Sequence, residues 1–186
     1  MDPLLMVLVA IVAALVLWIA WTFNRLIRAR NGVAEAWSTV DVELTRRHNL
    51  VPRLADAVRG YASHESGLFE RVALARSRAT TGDPVAESTL TGAIRSLFAV
   101  AEAYPELKAS ENFASLQQEL ATTEDRIAYA RSYYNAWVTD YETLRQTFPR
   151  SLVASAFRFP TRSFFEADVT SRAPISVALG ASAGAE

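Results

Sequence analysis

The amino-terminal part of the chain is an unbroken apolar segment. From Leu4 to Phe23 the sequence reads LLMVLVAIVAALVLWIAWTF, and only Thr22 is not apolar. A helix of this length rises about 30 Å, which matches the hydrocarbon core of a bilayer. Asp2 stands where a cleaved signal peptide has a basic residue, and the apolar stretch is longer than a signal peptide needs. The pattern predicts an uncleaved transmembrane helix over residues 1–24.

Two later segments have apolar residues at alternating steps of four and three, the spacing of one face of a packed helix. From Val33 to Tyr61, eight of nine such positions are apolar, and Arg47 is the exception. From Phe113 to Phe148, ten of eleven are apolar, and Thr123 is the exception. The helix that contains this second pattern is expected to run from about Leu107 to Phe148. A heptad pattern sustained over this length is typical of long helices that pack in a coiled-coil-like manner.

Two shorter helices are predicted between the long ones. The first covers about residues 63–80, and the second follows the turn sequence TGDP, where Asp83 can cap a helix and Pro84 suits its first turn. This second helix is expected to stop before Pro105. Four helices with short connections and no strand candidates predict an all-α fold. After the transmembrane helix, an antiparallel up-and-down four-helix bundle is expected over residues 25–148.

The character of the sequence changes after the last predicted helix. Residues 149–169 interleave arginines with phenylalanines such as Phe164 and Phe165. Because the last bundle helix returns toward the bilayer, this segment is predicted to be membrane-proximal. Two interpretations stay open: the segment lies in an anionic lipid interface, or its phenylalanines close the base of the bundle. Residues 170–186 are small, polar and rich in alanine, and they are predicted to form a disordered tail.

The charges that flank the apolar segment predict its orientation. Arg25, Arg28 and Arg30 follow it directly, whereas only Asp2 and the terminal amine precede it. The positive-inside rule then predicts a single-pass protein of the cell membrane, with the amino terminus outside and the bundle in the cytoplasm. The formal charge of the whole chain is −1, so no general attraction to nucleic acid is expected.

The two exceptions to the heptad patterns fall at about the same level when the first and last bundle helices run antiparallel. A guanidinium in a helical core needs a carboxylate partner, because an unpaired buried charge is very costly. We therefore expect a buried or half-buried polar layer in which Arg47 pairs with Glu124 and Thr123 is hydrogen-bonded nearby. Glu124→Ala is expected to destabilise the fold strongly. Pro52 is expected to kink the first helix and to leave the carbonyl of His48 to a nearby donor.

This predicted polar layer has a structural and a functional interpretation. The structural one is that it fixes the register of the helices, which is the best-attested use of a buried polar group in a bundle. The functional one is a pocket or switch that recognises a small anion. The structural interpretation is favoured.

The sequence shows no arrangement of residues that is typical of a catalytic or metal-binding site. There is no cysteine, and the only histidines, His48 and His64, are 16 residues apart, about 24 Å along one helix. No glycine-rich phosphate loop occurs, and no serine lies in a strand–turn–helix elbow. We therefore predict no catalytic residue, no cofactor and no metal site, and we expect that the protein is not an enzyme.

Two long stretches carry a resemblance to a known family. NGVAEAWSTVDVELTRRHNLVPRLADAVRGYASHE and LFAVAEAYPELKASENFASLQQELATTEDRIAYARSYYNA, followed by FP and FFEA, resemble the LemA family of bacterial membrane proteins. The similarity runs from about Phe23 to Ala167. Glu142 and Ser151 depart from it, since members commonly have asparagine at both places. The resemblance implies an amino-terminal membrane span and a four-helix bundle, and it supplies no catalytic residue, cofactor or substrate.

These observations lead to two functional hypotheses. The first is a membrane-anchored, non-enzymatic helical scaffold or adaptor that presents its helices to protein partners. The alternative is a membrane-bound sensor or ligand-binding module that uses the predicted polar layer. The expected partners are the lipid bilayer and proteins that the sequence does not identify, and self-association into a homo-oligomer is left open.

Overall fold

A computed structural model describes residues 2–79 and 83–165, and all regular secondary structure in these residues is α-helical. The predicted all-α class is confirmed. The predicted tail over 170–186 and the last residues of the membrane-proximal segment lie outside the described residues. The helices are α1 (Pro3–Arg59), α2 (Ser66–Ala79), α3 (Pro84–Ala101), α4 (Pro105–Lys108), α5 (Glu111–Gln146) and α6 (Arg150–Ala156).

Helix α1 contains both the apolar segment and the first packed helix without a break. It has 57 residues, so its length is about 86 Å, and it crosses the predicted anchor boundary at residues 24–25 as a continuous helix. Its most apolar window has a mean hydropathy of 2.9, and none of that window is buried against other parts of the protein. Among the described residues it is the one helix long and apolar enough to cross a membrane. A core helix of a soluble protein would be covered by neighbouring helices, and this window is not.

The shorter helices and their connections follow local sequence signals. The side chain of Asp83 accepts a hydrogen bond from the backbone N–H of Val85, so the predicted cap and the Pro84 start of α3 are confirmed. One predicted long helix over 107–148 is instead divided into α4 and α5, because a turn at Ala109 and Ser110 separates them. Helix α6 was not predicted. It follows α5 after a cis peptide bond between Phe148 and Pro149.

The buried apolar side chains form two separate clusters, which we call the distal core and the proximal core. The distal core lies far from the apolar segment and draws on α1, α2, α3 and α5. It comprises apolar residues of α1 from Leu50 to Val58, of α2, of α3 and of α5 from Phe113 to Leu120. Helices α2 and α3 have 14 and 18 residues, so they are too short to extend along the whole of α5.

The proximal core lies between the apolar segment and the distal core. It contains residues of α1 from Leu26 to Leu44, residues of α5 from Ile127 to Leu144, and Val153, Ala154, Phe159 and Phe165. Here the segment after α5 occupies the place that α2 and α3 occupy in the distal core. The indole ring of Trp137 on α5 packs directly against Gly32 of α1, where an added Cβ would lie 2.5 Å from its ring carbons.

Most of the heptad positions predicted to pack are buried; two exceptions lie at helix ends, and two, Trp37 and Trp137, lie inside α1 and α5. Tyr61 is exposed because it follows the end of α1, and Phe148 is exposed because it follows the end of α5. On α5, Val138 is fully buried and Trp137 only partly. The helix face is therefore slightly rotated from the predicted one at that level.

Candidate functional site: an ionic layer between the two cores

Arg47 lies on α1 between the distal and proximal cores, and its side chain is almost completely buried. Its Nη1 donates to Oε1 of Glu124 at 2.9 Å and to the hydroxyl of Thr91 at 3.3 Å. Its Nη2 donates to Oε2 of Glu87. Glu87 and Thr91 belong to α3 and Glu124 belongs to α5, so one guanidinium joins three helices. We call Arg47, His48, Glu87, Thr91 and Glu124 the ionic layer.

Glu87 is the carboxylate of the ionic layer that the sequence patterns did not predict. It lies in the first turn of α3, where an acidic residue is commonly explained by the helix dipole. Its side chain is fully buried between Arg47 and His48. A signal was present in the sequence: Leu90, Ile94 and Leu97 form an apolar face of α3, and a further step of three residues toward the amino terminus reaches Glu87. A carboxylate on an apolar face indicates a buried cationic partner.

Two residues of the predicted polar layer, Glu124 and Thr123, lie at the level of Arg47. Glu124 contacts Arg47, but 41% of its side chain is exposed to solvent. Thr123 is fully buried, and its hydroxyl donates to the carbonyl of Glu119 at 2.7 Å within its own helix. Thr123 therefore satisfies its own hydrogen bond, and the hydroxyl that contacts Arg47 is that of Thr91.

His48 connects the ionic layer to α2. Its Nε2 lies 3.1 Å from Oε1 of Glu87, and because a carboxylate only accepts, the neutral ring carries its proton on Nε2. Its backbone carbonyl accepts a hydrogen bond from Nε of Arg76 at 2.9 Å. Pro52 lacks the N–H that would bond this carbonyl, so the arginine takes its place. Helix α1 continues through Pro52, and the kink there stays a prediction.

The environment of His48 predicts that the stability of the fold depends on pH. Burial lowers the pKa of His48 below 6.5, and the positive charges of Arg47 and Arg76 lower this pKa further, against a smaller opposite effect from Asp41. The folded protein therefore holds the ring neutral where the unfolded chain would bind a proton. By linkage, stability should decrease as the pH falls below about 6.5 and should be restored as the pH rises above it.

This dependence can be measured with His48→Gln, which keeps a donor toward Glu87 and removes the titrating ring. The free energy of unfolding of the wild type should decrease between pH 7.5 and pH 5.5 more than that of the variant. His64→Gln is the matched control, because that histidine is exposed in the turn after α1. Parallel curves for the wild type and His48→Gln would contradict the assignment.

The arrangement of the ionic layer favours a structural role over the capture of a ligand. Both terminal nitrogens of Arg47 are bonded to side chains of the protein, so an anion would have to displace Glu87 or Glu124. In the described ranges 2–79 and 83–165, no three His, Asp or Glu side chains converge as metal ligands would. The ionic layer can hold α1, α3 and α5 in a single register.

The segment after α6 is bound to α5 by side chains that sequence reasoning did not single out. The side-chain amide of Asn135 donates to the carbonyl of Phe165 at 3.1 Å and accepts from its N–H at 2.8 Å. Tyr141 donates its hydroxyl proton to the carbonyl of Pro160 at 2.6 Å. Glu142 accepts the backbone N–H of Arg162 at 2.8 Å. Glu142, which stands where the resembled family commonly has asparagine, therefore forms a tertiary contact.

The phenylalanines of this segment divide between the two interpretations that the sequence left open. Phe159 and Phe165 are buried in the proximal core and close its base. Phe157 and Phe164 are about half exposed, and Phe148 is largely exposed. Phe157 also contacts Phe23 of α1, with ring centroids 4.9 Å apart. The segment thus packs on one side and presents apolar rings on the other.

The three arginines predicted to determine topology follow the apolar part of α1. Arg25 and Arg28 are exposed, and Arg30 is partly buried. The guanidinium carbon of Arg25 lies 5.6 Å from the ring centroid of Trp21. Tryptophan next to arginine at the end of an apolar helix is typical of the boundary between membrane and water.

Comparisons with known proteins agree on one family. A family model described as LemA family matches residues 36–179, a range that contains Arg47, Glu87 and Glu124. Protein LemA of Metamycoplasma hominis is 26% identical over 158 residues, which cover 82% of this chain and 72% of that protein.

Proposed function

The chain belongs to the LemA family, and we propose that it is a membrane-anchored, non-enzymatic helical scaffold or adaptor. In this role it presents its helices to protein partners. Members of the family are membrane-associated. The uncovered apolar part of α1 supports the anchor. The finer parts of the proposal are a single membrane pass, an amino terminus outside, and α1, α2, α3 and α5 acting as an up-and-down four-helix bundle in the cytoplasm. Arg25, Arg28 and Arg30 support this orientation.

The observation that carries the adaptor role is a row of three aromatic side chains along α5, two of them exposed and the third, Trp137, packed partly against the proximal core. Tyr129 is 72% exposed and Tyr133 is 40% exposed, and their rings stack with centroids 6.4 Å apart. Tyr133 in turn meets Trp137 edge to face at 6.3 Å. Tyrosine and tryptophan dominate the energetic centres of protein interfaces, since large rigid rings bury much area with little loss of side-chain entropy. We call Tyr129, Tyr133 and Trp137 the aromatic row.

The aromatic row can be tested by site-specific crosslinking in cells. A photo-crosslinking phenylalanine analogue at position 129 should give a discrete protein adduct, whereas the same analogue at position 85, an exposed site on α3, should not. Tyr133→Ala should reduce the adduct from position 129 by about tenfold, because loss of one interface aromatic costs more than ~1 kcal/mol. Leu74→Ala removes an exposed apolar side chain on α2 and should leave the adduct unchanged. Equal adduct yields from position 129 in Tyr133→Ala and Leu74→Ala would contradict the role of the aromatic row.

The proposed orientation has its own test, which the absence of cysteine from the chain makes simple. Ser63→Cys places one thiol in the exposed turn between α1 and α2. A membrane-impermeant maleimide should label this thiol only after the membrane that holds the protein has been permeabilised. Labelling of cells in which only the outer barrier is permeabilised would contradict the cytoplasmic orientation and leave the adaptor role to be sought on the other side of the membrane.

A further inference from the structure

A cleft of about 340 Å³ lies where the membrane-spanning part of α1 meets the end of α5. Its lining includes Arg25 and Arg28 of α1 and Asp140 of α5, and the rings of Trp21 and Trp137 form part of its walls. The cleft shares Trp137 with the aromatic row, but neither that row nor the ionic layer explains why two cations and one carboxylate face the same space.

The charged side chains that line this cleft are not neutralised by one another. Among the described residues, Arg25, Arg28 and Asp140 form no ion pair, although charges of both signs line one cavity. All three are exposed, and the guanidinium of Arg25 rests on the ring of Trp21. Elsewhere on α5, by contrast, Glu142 is bonded to the neighbouring Arg145 at 2.9 Å. The cleft therefore offers separate positive and negative groups to a ligand that carries both charges.

The level of the cleft matches the headgroup layer of a bilayer. Arg25 and Arg28 are two and five residues beyond Phe23, so they lie about 3 Å and 8 Å past the end of the apolar segment. The headgroup layer on each side of the hydrocarbon core is about 5–8 Å thick. A phospholipid beside α1 would thus place its phosphate near the two arginines and its acyl chains along the exposed apolar part of the helix.

We propose that this cleft is a binding site for a phospholipid with a zwitterionic, primary-ammonium headgroup. Arg25 and Arg28 bind the phosphate, and Asp140 accepts hydrogen bonds from the ammonium group. Trp21 and Trp137 border the headgroup and its glycerol. The site rests on the membrane anchor of the proposed function and adds to it a lipid that the anchor selects.

The three charged residues together determine which headgroup fits. A phosphoglycerol headgroup satisfies the arginines but brings no cation to Asp140. A choline headgroup brings a cation without N–H donors, so it cannot form the charge-assisted hydrogen bonds that a primary ammonium forms with a carboxylate. Phosphatidylethanolamine supplies both the phosphate and the donors, and it is the probe for the test.

The site can be tested by native mass spectrometry of the full-length protein in a neutral detergent. Phosphatidylethanolamine, phosphatidylglycerol and phosphatidylcholine with identical acyl chains are titrated separately, and lipid adducts are counted. The wild type should bind phosphatidylethanolamine about fivefold more tightly than the other two lipids. Asp140→Asn should abolish this preference while still binding phosphatidylglycerol. The double variant Arg25→Gln, Arg28→Gln should weaken the binding of all three lipids.

Matched controls on the same helices separate the site from a general effect of charge. Asp125→Asn makes the same change at an exposed position of α5 about 22 Å from Asp140. The double variant Arg46→Gln, Arg53→Gln removes two exposed cations of α1 farther from the apolar segment. Both controls should retain the fivefold preference, and circular dichroism should show unchanged helicity in every variant.

Different results would overturn the headgroup site, the assignment to a lipid and the membrane anchor. Equal binding of the three lipids by the wild type, or an unchanged preference in Asp140→Asn, would overturn the headgroup site and leave the anchor intact. Binding of water-soluble glycerophosphoethanolamine at the same concentration as the lipid would overturn the assignment to a lipid. Extraction of the wild type from native membranes by alkaline carbonate would overturn the anchor itself, and the site with it.

Discussion

Replacing Glu87 by alanine is expected to lower the free energy of unfolding by about 3–5 kcal/mol, the usual effect of removing one partner of a buried ion pair. Arg47 would then remain buried with Glu124 as its remaining carboxylate, and that side chain is 41% exposed. His48 would lose its partner in the same change. Chemical unfolding of the full-length protein in detergent, followed by circular dichroism at pH 7.5, measures the effect.

Glu124→Ala is the informative comparison. From the sequence this variant was expected to destabilise strongly. With the partial exposure of Glu124 and the second carboxylate of Glu87 known, an effect of about 1 kcal/mol is expected instead. Equal effects of Glu87→Ala and Glu124→Ala would contradict the geometry of the ionic layer.

The double variant Arg47→Met, Glu87→Met separates the cost of an unpaired charge from the value of the pair. Replacing both partners of a buried pair by apolar side chains is often neutral or stabilising. The free energy of unfolding of the double variant should therefore be within about 1–2 kcal/mol of that of the wild type. It should be well above that of Glu87→Ala. A double variant as unstable as the single one would mean that Glu87 acts through packing and not through its charge.

Phe165→Ala is expected to have the second large effect, about 3 kcal/mol, because it removes a buried aromatic ring from the proximal core. The ring lies between Trp37, with centroids 5.9 Å apart, and the guanidinium of Arg131, 4.4 Å from its centroid. Its loss should release the segment after α6 from Asn135. The measurement is hydrogen exchange of the Phe165 amide, which donates to Oδ1 of Asn135 in the wild type, together with unfolding in denaturant.

The neighbouring residue is a matched control. Phe164 is 51% exposed, whereas Phe165 is 5% exposed, so Phe164→Ala removes an identical side chain from the surface. It should change stability by no more than about 0.5 kcal/mol and leave the exchange of the Phe165 amide slow. If Phe164→Ala and Phe165→Ala destabilise equally, the assignment of inner and outer phenylalanines is wrong.

Much of the architecture could be predicted from local patterns. The length and apolarity of residues 4–23 predict a membrane-spanning helix whatever the remainder of the chain does, because a bilayer imposes its own thickness. The heptad patterns predict α1 and α5, and Asp83 with Pro84 predicts the start of α3. Each of these signals lies within the helix that it predicts, so it needs no knowledge of packing partners.

The sequence also indicated that Arg47 requires a carboxylate and that Pro52 leaves the carbonyl of His48 without its helical donor, because both follow from the chemistry of single residues. Only the tertiary structure decided that the buried carboxylate is Glu87, 40 positions away on another helix, and that the donor is Arg76. It also decided that Phe165 is inside while Phe164 is outside. Such choices depend on which helices meet at a given level, and that is set by the packing of the whole chain and not by any local pattern.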